Sequence, residues 1–159
     1  MNSRALAVSS ALLCTAISFA ATPLAEIRLT PAEVDAIQAH EAGAGTSGVA
    51  GIRTTVLVGD PAQPGPYTIR LSVPANTRIQ AHTHRDNRTA VVAAGTWYFG
   101  YGATANPSAE KALFAGSFYT EPSGLAHFAE TRDAAVVVYI SGVGPTDTVF
   151  VTGAAMHEH

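Results

Sequence analysis

Along residues 67–73, YTIRLSV, apolar and polar positions alternate without a break. Tyr67, Ile69, Leu71 and Val73 share one face and Thr68, Arg70 and Ser72 the other, the period of a strand with one side buried. Period-two character sets in near residue 52 and recurs in RIQAHTH, TAVVAAG, TWYFGYG, KALF, SFYTEP, AHFAE, AAVVVYISG and TDTVFV. Between these runs stand GDPAQPGP, PAN, RDN, GATANPS, PSG and GVGPT, segments dense in glycine, proline and asparagine that turn the chain. Short strands at this spacing predict an all-β antiparallel sandwich or barrel. No helix-period crossover separates them, which argues against a parallel sheet.

Ahead of the strands the pattern differs. LTPAEVDAI, residues 29–37, predicts one short helix, with Thr30 as N-cap, Pro31 at the first helical position and Glu33 completing a capping box. EAGAGTSGVAG then predicts a flexible link. Residues 22–51 therefore read as an N-terminal arm, 52–153 as a single β domain and 154–159 as a tail. At the start, MNSR precedes the apolar, small-residue run ALAVSSALLCTAISFAA, and Ser18 and Ala20 suit a signal-peptidase site. Residues 1–21 are thus expected to be a secretory leader, cleaved after Ala20 or Ala21, with export to the periplasm or beyond. The competing reading is an uncleaved membrane anchor, but the run is short for a span and no charged stop follows. The single cysteine, Cys14, lies in this leader. A mature chain without it would have no disulfide, thiolate metal site or cysteine nucleophile.

Composition narrows the function classes. Of 159 residues, 47% are apolar and 13% charged, as in one compact domain. A net charge of -3 without a basic stripe argues against nucleic acid as a partner, and once the leader is removed nothing predicts membrane association. Candidate chemistry begins at QAHTH, residues 80–84. On a strand, His82 and His84 face the same way, roughly 7 Å apart at Cα, close enough to share a metal ion. The pair alone also reads as two surface histidines beside the RDN turn.

PANTRIQAHTHRDNRTAVVAAG and GSFYTEPSGLAHFAET together resemble the two conserved motifs of the cupin superfamily. His82, His84 and Gly95 match the first motif; Gly116, Pro122, Gly124 and His127 match the second with no insertion. The likeness runs from about residue 54 to 152 and is greatest to small, single-domain, often exported cupins. It implies a jelly-roll β-barrel, the double-stranded β-helix, holding one divalent metal ion (iron, zinc, manganese or nickel) on His82, His84 and His127. Two positions also have a reading of their own. Gly95 joins two strands where positive φ suits glycine, and Pro122 and Gly124 make a turn able to aim His127 inward.

The chain departs from the family pattern where the first motif has a glutamate. That position falls on Arg88, or by an alternative count on Thr89, and the asparagine ending the second motif is Thr131. Three neutral imidazoles leave a divalent ion its full charge, which favours an anionic ligand such as a carboxylate or enolate. Arg88 either points inward and clamps such an anion or extends to solvent at the hairpin end, pairing Asp86; the hairpin position favours the second. Gln80 shares the parity of the two histidines and is a candidate ligand contact. Tyr119 and Glu121 are candidates for acid–base work. Trp97, Phe99 and Tyr101 alternate on one face as core, His40 reads as a solvated helix-end residue, and His157–His159 as a frayed tail.

Three functions stay open on this basis. The first is a metal-dependent enzyme, an oxidoreductase of the dioxygenase type or an isomerase or lyase, acting on a small oxygenated or anionic molecule, as the resemblance implies. The second is a cell-envelope module that captures a small ligand or metal without turnover. The third is a barrel whose histidines hold nothing. Dimerisation through an edge strand is a family expectation.

Overall fold

The computed structural model describes residues 24–151, so the readings of the leader and of the His157–His159 tail lie outside the described residues. Among the described residues, one helix, α1 (Pro31–Ala36), precedes ten strands. These are β1 (Arg53–Val58), β2 (Gly65–Val73), β3 (Arg78–Thr83), β4 (Arg88–Ala94), β5 (Thr96–Tyr101), β6 (Lys111–Phe114), β7 (Phe118–Glu121), β8 (His127–Glu130), β9 (Val136–Gly144) and β10 (Val149–Phe150). A single 3-10 turn, Pro107–Ala109, leads into β6. The strands form two five-stranded sheets, ordered β1-β2-β9-β4-β7 and β10-β3-β8-β5-β6. The pairings within both are antiparallel.

The alternation in β2 does what its period requires. Tyr67, Ile69, Leu71 and Val73 are all buried, and β2 pairs with β9 along its whole length, from Gly65 opposite Gly144 to Val73 opposite Val136. Val136, Val138 and Ile140 of β9 and Ala90 and Val92 of β4 extend that apolar face. Ile79, Trp97, Phe99 and Ala129 contribute from the other sheet, and one continuous core lies between the two. Trp97 and Phe99 are core as expected, whereas Tyr101 is 46% exposed at the strand end. Its hydroxyl there donates to the Thr120 carbonyl at 2.7 Å, linking the two sheets.

The helix carries the expected cap: the Thr30 side chain accepts from the Glu33 N–H, and the Glu33 carboxylate accepts from the Thr30 N–H at 2.7 Å. His40 is exposed at its side chain, but its backbone makes an antiparallel bridge with Thr54. The following segment is not the free link that its glycines predict. Thr46 and Ser47 are buried, Gly45 sits against Pro61 and Ile69, and Thr148 donates its hydroxyl to the Thr46 carbonyl at 3.0 Å. Glycines at 43, 45, 48 and 51 all have positive φ. Their freedom lets this strap fold back onto the body.

Candidate metal centre

Strands β3 and β8 bring the three histidines together. Gly124 and Pro122 form the expected turn: Gly124 has φ 71°, and the Leu125 N–H donates to the Pro122 carbonyl at 3.0 Å. The Gly124 N–H also donates to the His84 carbonyl at 2.8 Å, tying the second motif to the first. β8 then starts at His127, directly opposite His82. A bulge in β3 completes the arrangement. Register shifts by one residue between Ile79 and His82, so Ile79 and His82 both lie buried although three residues apart.

His82, His84 and His127 are buried, and one ring nitrogen from each lies within 4.8 Å of the others. Their ring centroids are 4.4–5.0 Å apart. Nδ1 of His82 meets the Gln80 carbonyl at 2.7 Å, that of His84 the Asp147 carbonyl at 2.5 Å, and that of His127 the Leu125 carbonyl at 3.1 Å. A carbonyl oxygen only accepts, so each Nδ1 carries the proton and each Nε2 presents a lone pair. Nε2 of His127 is buried with no hydrogen-bond partner. Burial, then the neighbouring charges of His127 and Arg88 respectively, pushes His82 down to about 4 and His84 to about 3. Burial likewise lowers His127. Neutral, tautomer-fixed imidazoles with inward lone pairs fit a divalent metal ion.

A carboxylate from the neighbouring strand lies beside the histidines. Glu121 of β7 pairs with Arg88 of β4 across the sheet. Its Oε2 lies 3.6 Å from Nε2 of His84 and 3.8 Å from Nε2 of His127. Arg88 points inward and is buried, contrary to its expected extension into solvent. The guanidinium donates to Glu121 through Nε at 2.5 Å and through Nη2, which also contacts Nε2 of His84. Burial alone would raise the Glu121 carboxyl, but Arg88 and the nearby histidines hold it at about 2. Asp86, the expected partner of Arg88, instead accepts from the Tyr67 hydroxyl at 2.7 Å and the Thr146 hydroxyl at 2.5 Å.

Other candidates divide. Tyr119 lines the same cavity, and burial raises its hydroxyl well above the usual value, keeping it a donor. Gln80 is exposed and meets the site only through its backbone carbonyl; parity counted back from His82 fails at the bulge. Thr89 is exposed. Thr131 serves the fold, donating to the Pro74 carbonyl at 2.5 Å and accepting from the Thr77 N–H at 2.9 Å. Thr46, Ser47 and Thr148 line the cavity from the strap and the β9–β10 connection. No periodicity or motif signalled them, because they reach the site through tertiary packing alone. The cavity is small, about 20 Å³, room for one water.

No protein-family model matches the sequence, and no curated protein sequence is similar to it. Solved structures resemble its fold. The polyketide cyclase RemF from Streptomyces resistomycificus aligns with a TM-score of 0.64 at 13% identity, over 83% of this chain and 89% of that one. A cupin 2 conserved barrel domain protein from Rhodopseudomonas palustris aligns at 0.59 and 12% identity, over 80% and 86%. DMSP lyase DddQ from Ruegeria pomeroyi aligns at 0.58 and 16% identity, over 75% and 64%. The paired antiparallel sheets and these alignments agree: the chain has a cupin-like fold.

Proposed function

We propose that the chain binds one divalent metal ion through His82, His84 and His127 and is a metal-dependent enzyme acting on a small oxygenated molecule. The observation that carries this is the convergence of three buried imidazoles whose Nδ1 atoms are all engaged by backbone carbonyls, so that each Nε2 carries the lone pair, that of His84 facing Arg88. A divalent ion held there supplies Lewis acidity toward an oxygen function of a bound molecule. Iron, zinc, manganese and nickel all accept nitrogen donors.

Two proton-active groups beside the histidines favour turnover over passive capture. Glu121 is ionised and faces Nε2 of both His84 and His127, placed to accept a proton or to orient a ligand hydroxyl. Tyr119 stays protonated and is the complementary donor. Groups whose environments push their titration apart are the pairing that acid–base chemistry uses. Arg88 is already engaged by Glu121, so a preference for anionic molecules rests on the metal's charge rather than on a free guanidinium. Among the structures of similar fold are proteins named as a polyketide cyclase, a DMSP lyase and a sugar phosphate isomerase, all enzymes of small molecules. We place the activity in the periplasm or outside the cell on the leader-like residues 1–21 alone.

Elemental analysis of the purified native chain tests the site. About one metal ion per chain is expected, lost in His82→Ala; a metal-free wild type would overturn the proposal. Turnover of β-diketones, thiol acids and keto sugars with iron, manganese or zinc then separates enzyme from capture module.

A further inference from the structure

The three histidines are almost sealed: His127 is 1% exposed, His84 3% and His82 5%. Their cavity holds one water, so a small organic molecule reaches them only if a wall moves. Most of the lining, from Leu71 of β2 to Ile140 of β9, stands on strands held in ladders. Off the strands are His84, Thr148 and the strap residues Gly45, Thr46 and Ser47. The connection that carries Thr148 is tied down. Asp147 binds Arg85 and His84, and Thr146 bonds Asp86 and the Pro61 carbonyl. The strap is held differently. Its ends are fixed, by the backbone bridge of His40 with Thr54 and by the buried Ile52. Between them, among the described residues, its one hydrogen bond to the body is that of the Thr148 hydroxyl to the Thr46 carbonyl. The others, Thr46 to Gly43, Val49 to Ser47 and Ile52 to Val49, stay within the segment and its anchor. On its other side Thr46 borders a hollow of about 160 Å³, lined also by Gly43, Thr54 and Pro61, into which the segment has room to withdraw.

We propose that the strap, residues 41–51, is the gate of the histidine cavity and opens to admit the small molecule on which the site acts. The purpose of the gate rests on the function proposed above; its movement does not. Opening breaks one hydrogen bond and the packing of Gly45 against Pro61 and Ile69, and it leaves both sheets intact, so it is a local event far cheaper than unfolding. Gly43 controls it. In the closed strap Gly43 has φ 108°, and a Cβ there would meet nothing within 4 Å. A side chain at that position therefore touches no neighbour, yet strains the closed backbone.

The probe is diethyl pyrocarbonate, a reagent far larger than one water that acylates unprotonated imidazole nitrogens. Metal-free, full-length protein is treated at neutral pH, and the modified residues are read by mass spectrometry of tryptic peptides. Residues 79–85 carry His82 and His84, 112–132 carry His127, and 29–53 carry the exposed His40, which gives the unhindered rate. In the wild type the three cavity histidines react more slowly than His40, at a rate that hardly changes with urea below the unfolding transition, because a local opening exposes little surface. In Gly43→Ala that rate rises about tenfold, from strain placed on the closed strap alone, while His40 reacts as before. Should Gly43→Ala fail to fold, Thr148→Val, which removes the strap's one hydrogen bond to the body, gives the same rise. Cavity histidines as reactive as His40, a steep urea dependence that ties their exposure to global unfolding, or a rate unmoved in the variant each overturn the gate. Zinc at one ion per chain separates the two readings. Protection of the cavity histidines by zinc supports the metal site, whereas its absence, with the gated rate intact, overturns the metal site and leaves the moving strap.

Discussion

Arg88 is a buried cation whose donors are divided between Glu121 and Nε2 of His84. A cation on that nitrogen competes with any metal for its lone pair, and it also neutralises the nearest carboxylate. Arg88→Met should therefore move two quantities in opposite directions. Metal affinity rises by about tenfold or more, as Glu121 and His84 are both released, an effect read by chelator competition. The metal-free fold loses about 3–5 kcal/mol, because Glu121 is left as an unpaired buried charge, read from denaturant midpoints. Weaker metal binding in the variant would show that the guanidinium supports the site instead of opposing it. The sequence placed Arg88 at the position of a missing carboxylate and could not say more. Inward parity along β4 and a hairpin-end location point in opposite directions, and only the cross-strand pairing with Glu121 settles them.

At the level of elements, the strands were legible because burial on one face writes a period of two into the chain. KALF is β6 residue for residue, and SFYTEP and AHFAE each overrun their strand by one or two positions. What the period hid was the bulge in β3, since an extra residue reverses the faces on either side of it and misplaced Gln80. Strand β9 shows how closely the elements are fitted near the site. Gly142 lies opposite Arg88, and a Cβ there would meet Asp86 Oδ2 at 2.5 Å and the Tyr67 hydroxyl at 2.6 Å. Gly142→Ala should thus destabilise the protein by about 1–3 kcal/mol through overpacking of a buried hydrogen-bonded pair, measured as a lowered melting temperature. An unchanged melting temperature would mean that the Tyr67–Asp86 contact is free to move aside.

For the whole molecule, burying three uncharged histidines couples folding to pH. His82 and His84 titrate at about 4 and about 3 when folded, against 6.5 for the free side chain. Between those values the unfolded chain binds more protons than the native one, so stability falls as pH drops below 6.5. Glu121, held at about 2 rather than 4.5, adds loss in the same direction below 4.5. Denaturant midpoints of chelator-treated protein should accordingly fall steadily from neutral pH toward 3, and a flat profile over that range would contradict the neutral, buried state of the histidines. By itself the sequence determined the all-β class, most strand positions, the capped helix and the three histidines, since periodicity, turn chemistry and fixed motif offsets are local properties that a linear chain records. Tertiary structure alone decided that Glu121 lies beside the histidines, that Arg88 turns inward to pair with it, and that the strap around Thr46 lines the cavity. Each of these joins residues distant in sequence, through sheet register or loop packing, and such distances leave no period to read.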